Sequence, residues 1–299
     1  MYTDIHCHGG GGYAFGDDVA GTLAAVAAHR SHGTSRLVCS LVSEPLERTV
    51  QALEVIRAAM RVDGAILGAH LEGPFLAPER KGAHDPVALA IPTPDVVDAL
   101  IEAGHGVVRQ ITIAPELPHA LDAISRCVEA GIVVAVGHTH CDADQAREAF
   151  DRGATLVTHA FNAMHGISGR APGVVGAALS DERVSLEVIA DGIHVDPRLI
   201  AMLFRAAPGR VVLVTDAMAA AAATPGRYQL GGLDVDVADG RAVIAGTDTL
   251  AGSTLTMDRA VQVCVEAGVA QADAMAAATT TPNRLIAPLA APLADATNL

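Results

Sequence analysis

The chain has 299 residues, 51% hydrophobic and 18% charged: apolar material for a substantial core and too little charge for disorder. A formal charge of −14 argues against nucleic-acid and anionic-membrane partners, and 3% aromatics with no Trp argue against base-stacking platforms. Five scattered cysteines without a Cys-x-x-Cys, no basic-then-apolar leader and no uncharged apolar run of spanning length read as a reduced, soluble, cytosolic chain.

In chain order, strands are expected over residues 2–7, 35–41, 65–71, 107–113, 132–136, 155–158, 185–189 and 211–215. Helices are expected between them, over 19–32, 45–61, 117–130 and 142–152. Gly33, Gly64, Gly131 and Gly153 follow these helices directly, as C-terminal caps do. Strands that read as continuous apolar runs between helices imply a parallel sheet covered on both faces. Eight such units suggest a (β/α)8 barrel, with a doubly wound open sheet as the alternative. Two stretches break the rhythm: the Pro/Gly-punctuated segment 74–94, and 228–244, which alternates around Gly231-Gly232 and Asp239-Gly240 like one or two hairpins. The expected organisation is one barrel over 1–284, with 228–244 inserted and a Pro/Ala-rich tail over 285–299.

Ligand-type residues recur where such a barrel places its active site, at the C-terminal ends of strands. His6 and His8 are one residue apart on the first strand, so their side chains share a face about 6.7 Å apart and can close on one divalent ion. Glu72 follows the third strand, His138 the fifth, His159 the sixth and Asp216 the eighth. Each has an ordinary explanation, a satisfied core histidine or a helix-capping carboxylate. Their joint placement is the donor set of a one- or two-ion hydrolase.

The motifs DIHCHGG, AHLEGPFLAPERKGAH, GHTHCDADQ, THAFNAMHG with GRAPG, DGIHVD, VTDAM and LAGS run in that order from residue 4 to about residue 255. Together they resemble the N-acetylglucosamine-6-phosphate deacetylases of the amidohydrolase superfamily. The resemblance implies the barrel fold and a metal-dependent hydrolysis that frees acetate from N-acetyl-D-glucosamine 6-phosphate, a step of amino-sugar catabolism and cell-wall recycling. It assigns His138, His159 and Glu72 to the main metal and His6 with His8 to a second; the ion would be zinc, or iron, cobalt or manganese. A bridging carboxylated lysine at the end of strand four is excluded, because that strand ends at Ile113-Ala114-Pro115 and the one lysine, Lys81, lies elsewhere.

Asp216 is expected to move the proton, taking it from water and handing it to the departing amine, and is also a candidate ligand. The resemblance places His84 near the acetamide and Leu250, Ala251 and Gly252 beside the sugar. Phosphate would be met by backbone N–H groups at Asn162 and Ala163, by the Arg170 guanidinium and by His194, in a pocket completed across a homodimer. Relatives usually carry a small β-domain built from both chain ends, and this chain begins three residues before Asp4, so that domain is expected to be absent or truncated. Two other readings remain: an amidohydrolase for another N-acyl sugar or a cyclic amide, and an inactive barrel with a binding role.

Overall fold

The computed structural model describes residues 1–286. Eight parallel strands follow one another around a barrel: β1 Tyr2–Cys7, β2 Thr34–Leu41, β3 Ile66–Glu72, β4 Val108–Ile113, β5 Val133–Val136, β6 Leu156–Val157, β7 Ser185–Ile189 and β8 Val211–Val214. Each pairs in parallel with its sequence neighbour from β1 to β8. The open sheet is therefore set aside. Helices α1 Val19–Ser31, α2 Leu46–Val62, α3 Pro94–Gly104, α4 Ala120–Glu129, α5 Ala143–Asp151, α6 Gly173–Leu179 and α7 Pro197–Ala206 connect consecutive strands. After β8 come α8 Met257–Glu266, α9 Gln271–Ala277 and α10 Thr280–Leu285. Leu285 thus ends a helix and Ile286 is buried, while the rest of the expected tail lies outside the described residues. No helix among the described residues is long and apolar enough to cross a membrane.

Strand pleating sorts the core into two parts. Outward-facing Leu71 and Ile111 meet Phe75, Val97 and Leu100 beneath α3. The alternate positions face the lumen and are polar: His6, His70, Gln110, Thr112 and Glu187 are all fully buried. They find partners among themselves, as in His70 with the Thr112 hydroxyl (2.9 Å) and Thr112 with Thr158 (2.8 Å).

The seam between β1 and β8 is closed by single bonds rather than a ladder. The Asp216 N–H donates to the His6 carbonyl (2.9 Å), and the Asp4 carboxylate accepts from the Thr215 hydroxyl (2.5 Å). Just beyond, the Ala217 carbonyl accepts from the His8 and Gly9 N–H groups (2.7 and 3.1 Å).

Local chemistry sets the helix ends. Asp142 and Gln145 form a reciprocal capping box at the start of α5, fixing the loop that carries His138. Gly33, Gly131 and Gly153 take left-handed backbone after their helices (φ 85°, 77° and 103°). Gly64 does not, because α2 ends one residue earlier on extended Asp63 (φ −132°). The inserted segment is a three-stranded antiparallel sheet, β9 Gly226–Leu230, β10 Leu233–Ala238 and β11 Arg241–Ile244, turning at the two anticipated places. Its Leu230, Val235, Val237 and Ala242 pack with Met218 and Ala251, and Val42 and Ala83 lean on them from the active face.

Gly137, just before His138, has no room for a side chain. A Cβ there would lie 2.5 Å from the Thr158 Cβ, and Thr158 is held by its bond to Thr112. Gly137→Ala should destabilise the fold by about 1–3 kcal/mol through overpacking, read as a lower denaturant midpoint. A midpoint equal to wild type would show that the barrel wall yields there.

Candidate metal centre

Six predicted ligand residues meet at the top of the barrel in two clusters that share Glu72. One comprises His6, His8, Glu72 and Asp216; the other Glu72, His138 and His159; all are buried. In the first, His6 Nε2 lies 3.2 Å from His8 Nε2 and 3.4 Å from both Glu72 Oε1 and Asp216 Oδ1. His8 Nε2 stands 3.2 Å from Glu72 Oε2 and from Asp216 Oδ1. In the second, Glu72 Oε1, His138 Nε2 and His159 Nε2 form a triangle of 3.0 Å sides. Donors about 2.0–2.2 Å from a tetrahedral ion lie roughly 3.3–3.6 Å from one another, close to the first cluster's spacing, and the 3.0 Å triangle needs to open by only a few tenths of an ångström to take a small divalent cation.

Proton placement agrees. His6 Nδ1 meets Glu187 Oε2 (2.9 Å) and His138 Nδ1 meets the Arg80 carbonyl (2.8 Å). Neither oxygen can donate when the carboxylate is ionised, so each ring carries a proton on Nδ1 and turns its Nε2 inward. Burial works against charge on Glu72, yet the His6 and His138 imidazoles hold its carboxyl well below the usual range. Asp216 is likewise lowered against the cost of burial, by His6 and His8. Against the cost of burial, the same carboxylates raise the pKa values of His6 and His8, so the cluster is built around positive charge, as a divalent metal would supply.

The fold strains itself to aim these groups. His138, His159 and Asp216 occupy left-handed backbone, with φ 47°, 25° and 49°. For non-glycine residues this costs roughly 1–3 kcal/mol each and persists only where the surroundings impose it. The Ser253 N–H holds the Asp216 carbonyl (2.7 Å), and the Ala160 N–H is tied to the Glu187 carbonyl (2.8 Å).

Above the clusters opens a cavity of about 400 Å³, lined in part by Glu72, His138, His159 and Asp216. That volume lies within the ordinary range for small-molecule sites. His84, Asn162, Ala163, His194, Leu250 and Gly252 line the same cavity, as the sequence suggests. Ala251 lies beneath it, fully buried. His84 Nδ1 accepts from the Ser43 N–H (3.1 Å), leaving its Nε2 3.3 Å from Glu72 Oε2. Burial lowers its pKa to about 4, outweighing Glu72. His194 gives its Nδ1 proton to Asp191 (2.6 Å).

Arg170 is the exception: it is exposed and does not line the cavity within this chain. The arginine that does is Arg80, whose guanidinium reaches the His165 ring at 2.9 Å. Sequence reasoning also passed over Glu187 and Gln110. The available signal was a lone carboxylate at the centre of the apolar strand Ser185–Ile189.

No protein-family model matches the chain. It is 38% identical over 290 residues to the N-acetylgalactosamine-6-phosphate deacetylase of Escherichia coli O157:H7, a match spanning 95% of this chain and 77% of that protein. It is equally 38% identical to the N-acetylglucosamine-6-phosphate deacetylase of Danio rerio, over 95% of this chain and 74% of that one. The chain belongs to the N-acetylglucosamine-6-phosphate deacetylase family. A structure of the family's Mycobacterium smegmatis enzyme, a variant in complex with N-acetyl-D-glucosamine-6-phosphate, superposes with a TM-score of 0.90 at 44% identity, covering 95% of this chain and 76% of that one. The family's Pasteurella multocida enzyme superposes equally well, TM-score 0.90, at 31% identity over 95% of this chain and 76% of its own.

Proposed function

We propose that the chain removes the acetyl group from N-acetyl-D-glucosamine 6-phosphate, giving D-glucosamine 6-phosphate and acetate. The observation that carries this reading is the pair of clusters joined at Glu72, with Asp216 between them and the cavity. Glu72, His138 and His159 would hold one divalent ion, zinc foremost, and His6, His8 and Asp216, again with Glu72, a second. Such ions polarise a carbonyl and make water acidic enough to attack at neutral pH. Asp216 accepts the proton that water gives up and returns it to the sugar nitrogen as the C–N bond breaks. His84, its Nδ1 occupied by the Ser43 N–H, presents its Nε2 proton toward the acetamide.

The −14 chain must gather local donors to hold a phosphate. Asn162, Ala163, His194 and Arg80 supply them from the cavity wall. Arg170 would come from a second copy, which makes the working protein a homodimer. The galactosamine epimer is the second reading, favoured by the relative from Escherichia coli.

Acetate release from N-acetylglucosamine 6-phosphate, its galactosamine epimer and unphosphorylated N-acetylglucosamine tests the assignment. The first should be turned over fastest; faster release from the epimer would exchange the two readings. Arg170→Ala should lose roughly 10–150-fold in kcat/KM on the phosphorylated sugar, the worth of a charge-assisted hydrogen bond at about 1.5–3 kcal/mol. Almost nothing should be lost on the unphosphorylated one. Mixing Arg170→Ala with Asp216→Asn subunits should restore part of the activity if the arginine crosses between copies. Equal losses on both sugars would withdraw Arg170 from phosphate binding.

A further inference from the structure

We infer that Glu187 is the positioning residue of the second metal position, holding His6 as a ligand and bracing the two clusters against each other; this rests on the two-ion reading above. Glu187 is fully buried at the middle of β7, between Leu186 and Val188, which pack outward into the apolar core. Its carboxylate has three partners and all are donors without a fixed positive charge. Oε2 accepts from His6 Nδ1 (2.9 Å) and from the backbone N–H of His159 (3.2 Å), and Oε1 from the Gln110 amide (2.8 Å). Among the described residues, no arginine or lysine forms an ion pair with Glu187, whose one charged contact is with His6 Nδ1 (2.9 Å).

A carboxylate sealed in a barrel wall without a cation is expensive unless charge elsewhere compensates it. The compensating charge belongs where His6 points. Through His6, Glu187 fixes the proton on Nδ1, turns the ring and makes Nε2 a stronger donor to a cation, as carboxylates behind metal-binding histidines do. The same oxygen also grips His159, at the point where its backbone is forced to φ 25°. One carboxylate thus holds a residue of each cluster.

The test is zinc binding to the metal-free full chain, read by elemental analysis and by competition with a chromophoric chelator. Wild type should take two zinc ions. Glu187→Gln keeps the shape but removes the charge, and the Gln110 amide, whose oxygen has no partner, can turn to accept from the new NH2. One ion should weaken about 10–100-fold, while the ion at Glu72, His138 and His159 stays. Adding Glu187→Gln to His6→Ala should change zinc binding no further, because the residue acts through His6. Should Glu187→Gln not fold, Glu187→Asp, which keeps the charge but shortens the reach to His6, should show the same selective weakening. Wild-type affinity for both ions in the variant, or equal loss of both, would overturn the role of Glu187 alone. A wild type that takes a single ion would remove the two-ion reading and this proposal with it.

Discussion

Glu72→Gln should empty the centre rather than weaken it. Glu72 stands in both clusters, with Oε1 3.0 Å from His138 and His159 and Oε2 3.2 Å from His8. An amide replaces one of those oxygens with an NH2 group that cannot bind a cation and leaves the other without charge. Elemental analysis after zinc saturation should fall from two ions toward none, and acetate release should drop beyond the roughly 10²–10⁴-fold expected when a general acid–base group alone is lost. Full retention of two ions in Glu72→Gln would show that Glu72 does not bridge.

Asp216→Asn separates the proton transfer from the ion at Glu72, His138 and His159. The asparagine preserves size and leaves the backbone bond from the Asp216 N–H to the His6 carbonyl untouched, but it takes no proton. Turnover should fall by roughly 10²–10⁴-fold, the usual worth of a general acid–base group. The ion at Glu72, His138 and His159 should remain, because Asp216 is not in that cluster. Near-normal turnover would move the proton to another group, with His84 next in line.

Local patterns announced most of the architecture. Most barrel strands stand out as apolar and β-branched stretches, although β6 is only Leu156–Val157 where four residues are expected, and the turns of the inserted sheet carry Gly-Gly and Asp-Gly signals. The ligand residues were legible for the same reason: a polar residue at a strand end is conspicuous. Glu187 was not, because an apolar run with one carboxylate still reads as a core strand until the lumen it faces is known. Arg80 ends a short 3-10 turn, Pro78–Arg80, and Arg170 sits in a loop, and only the folded chain shows which one turns toward the cavity. The Asp4–Thr215 contact joins residues 211 positions apart, beyond any local periodicity.

That contact belongs to the seam, where eight strands close with single bonds instead of a ladder. His6 and His8 stand on one lip of it and Asp216 on the other, so an ion held by the three would work as a clasp. Metal uptake and barrel closure would then be one equilibrium. Every factor by which the free ion exceeds its dissociation constant weights the closed barrel over the sprung one, by about 2.7 kcal/mol at a hundredfold excess. In such a molecule the scarcity of a trace element would loosen a stave of the barrel as it silences the reaction.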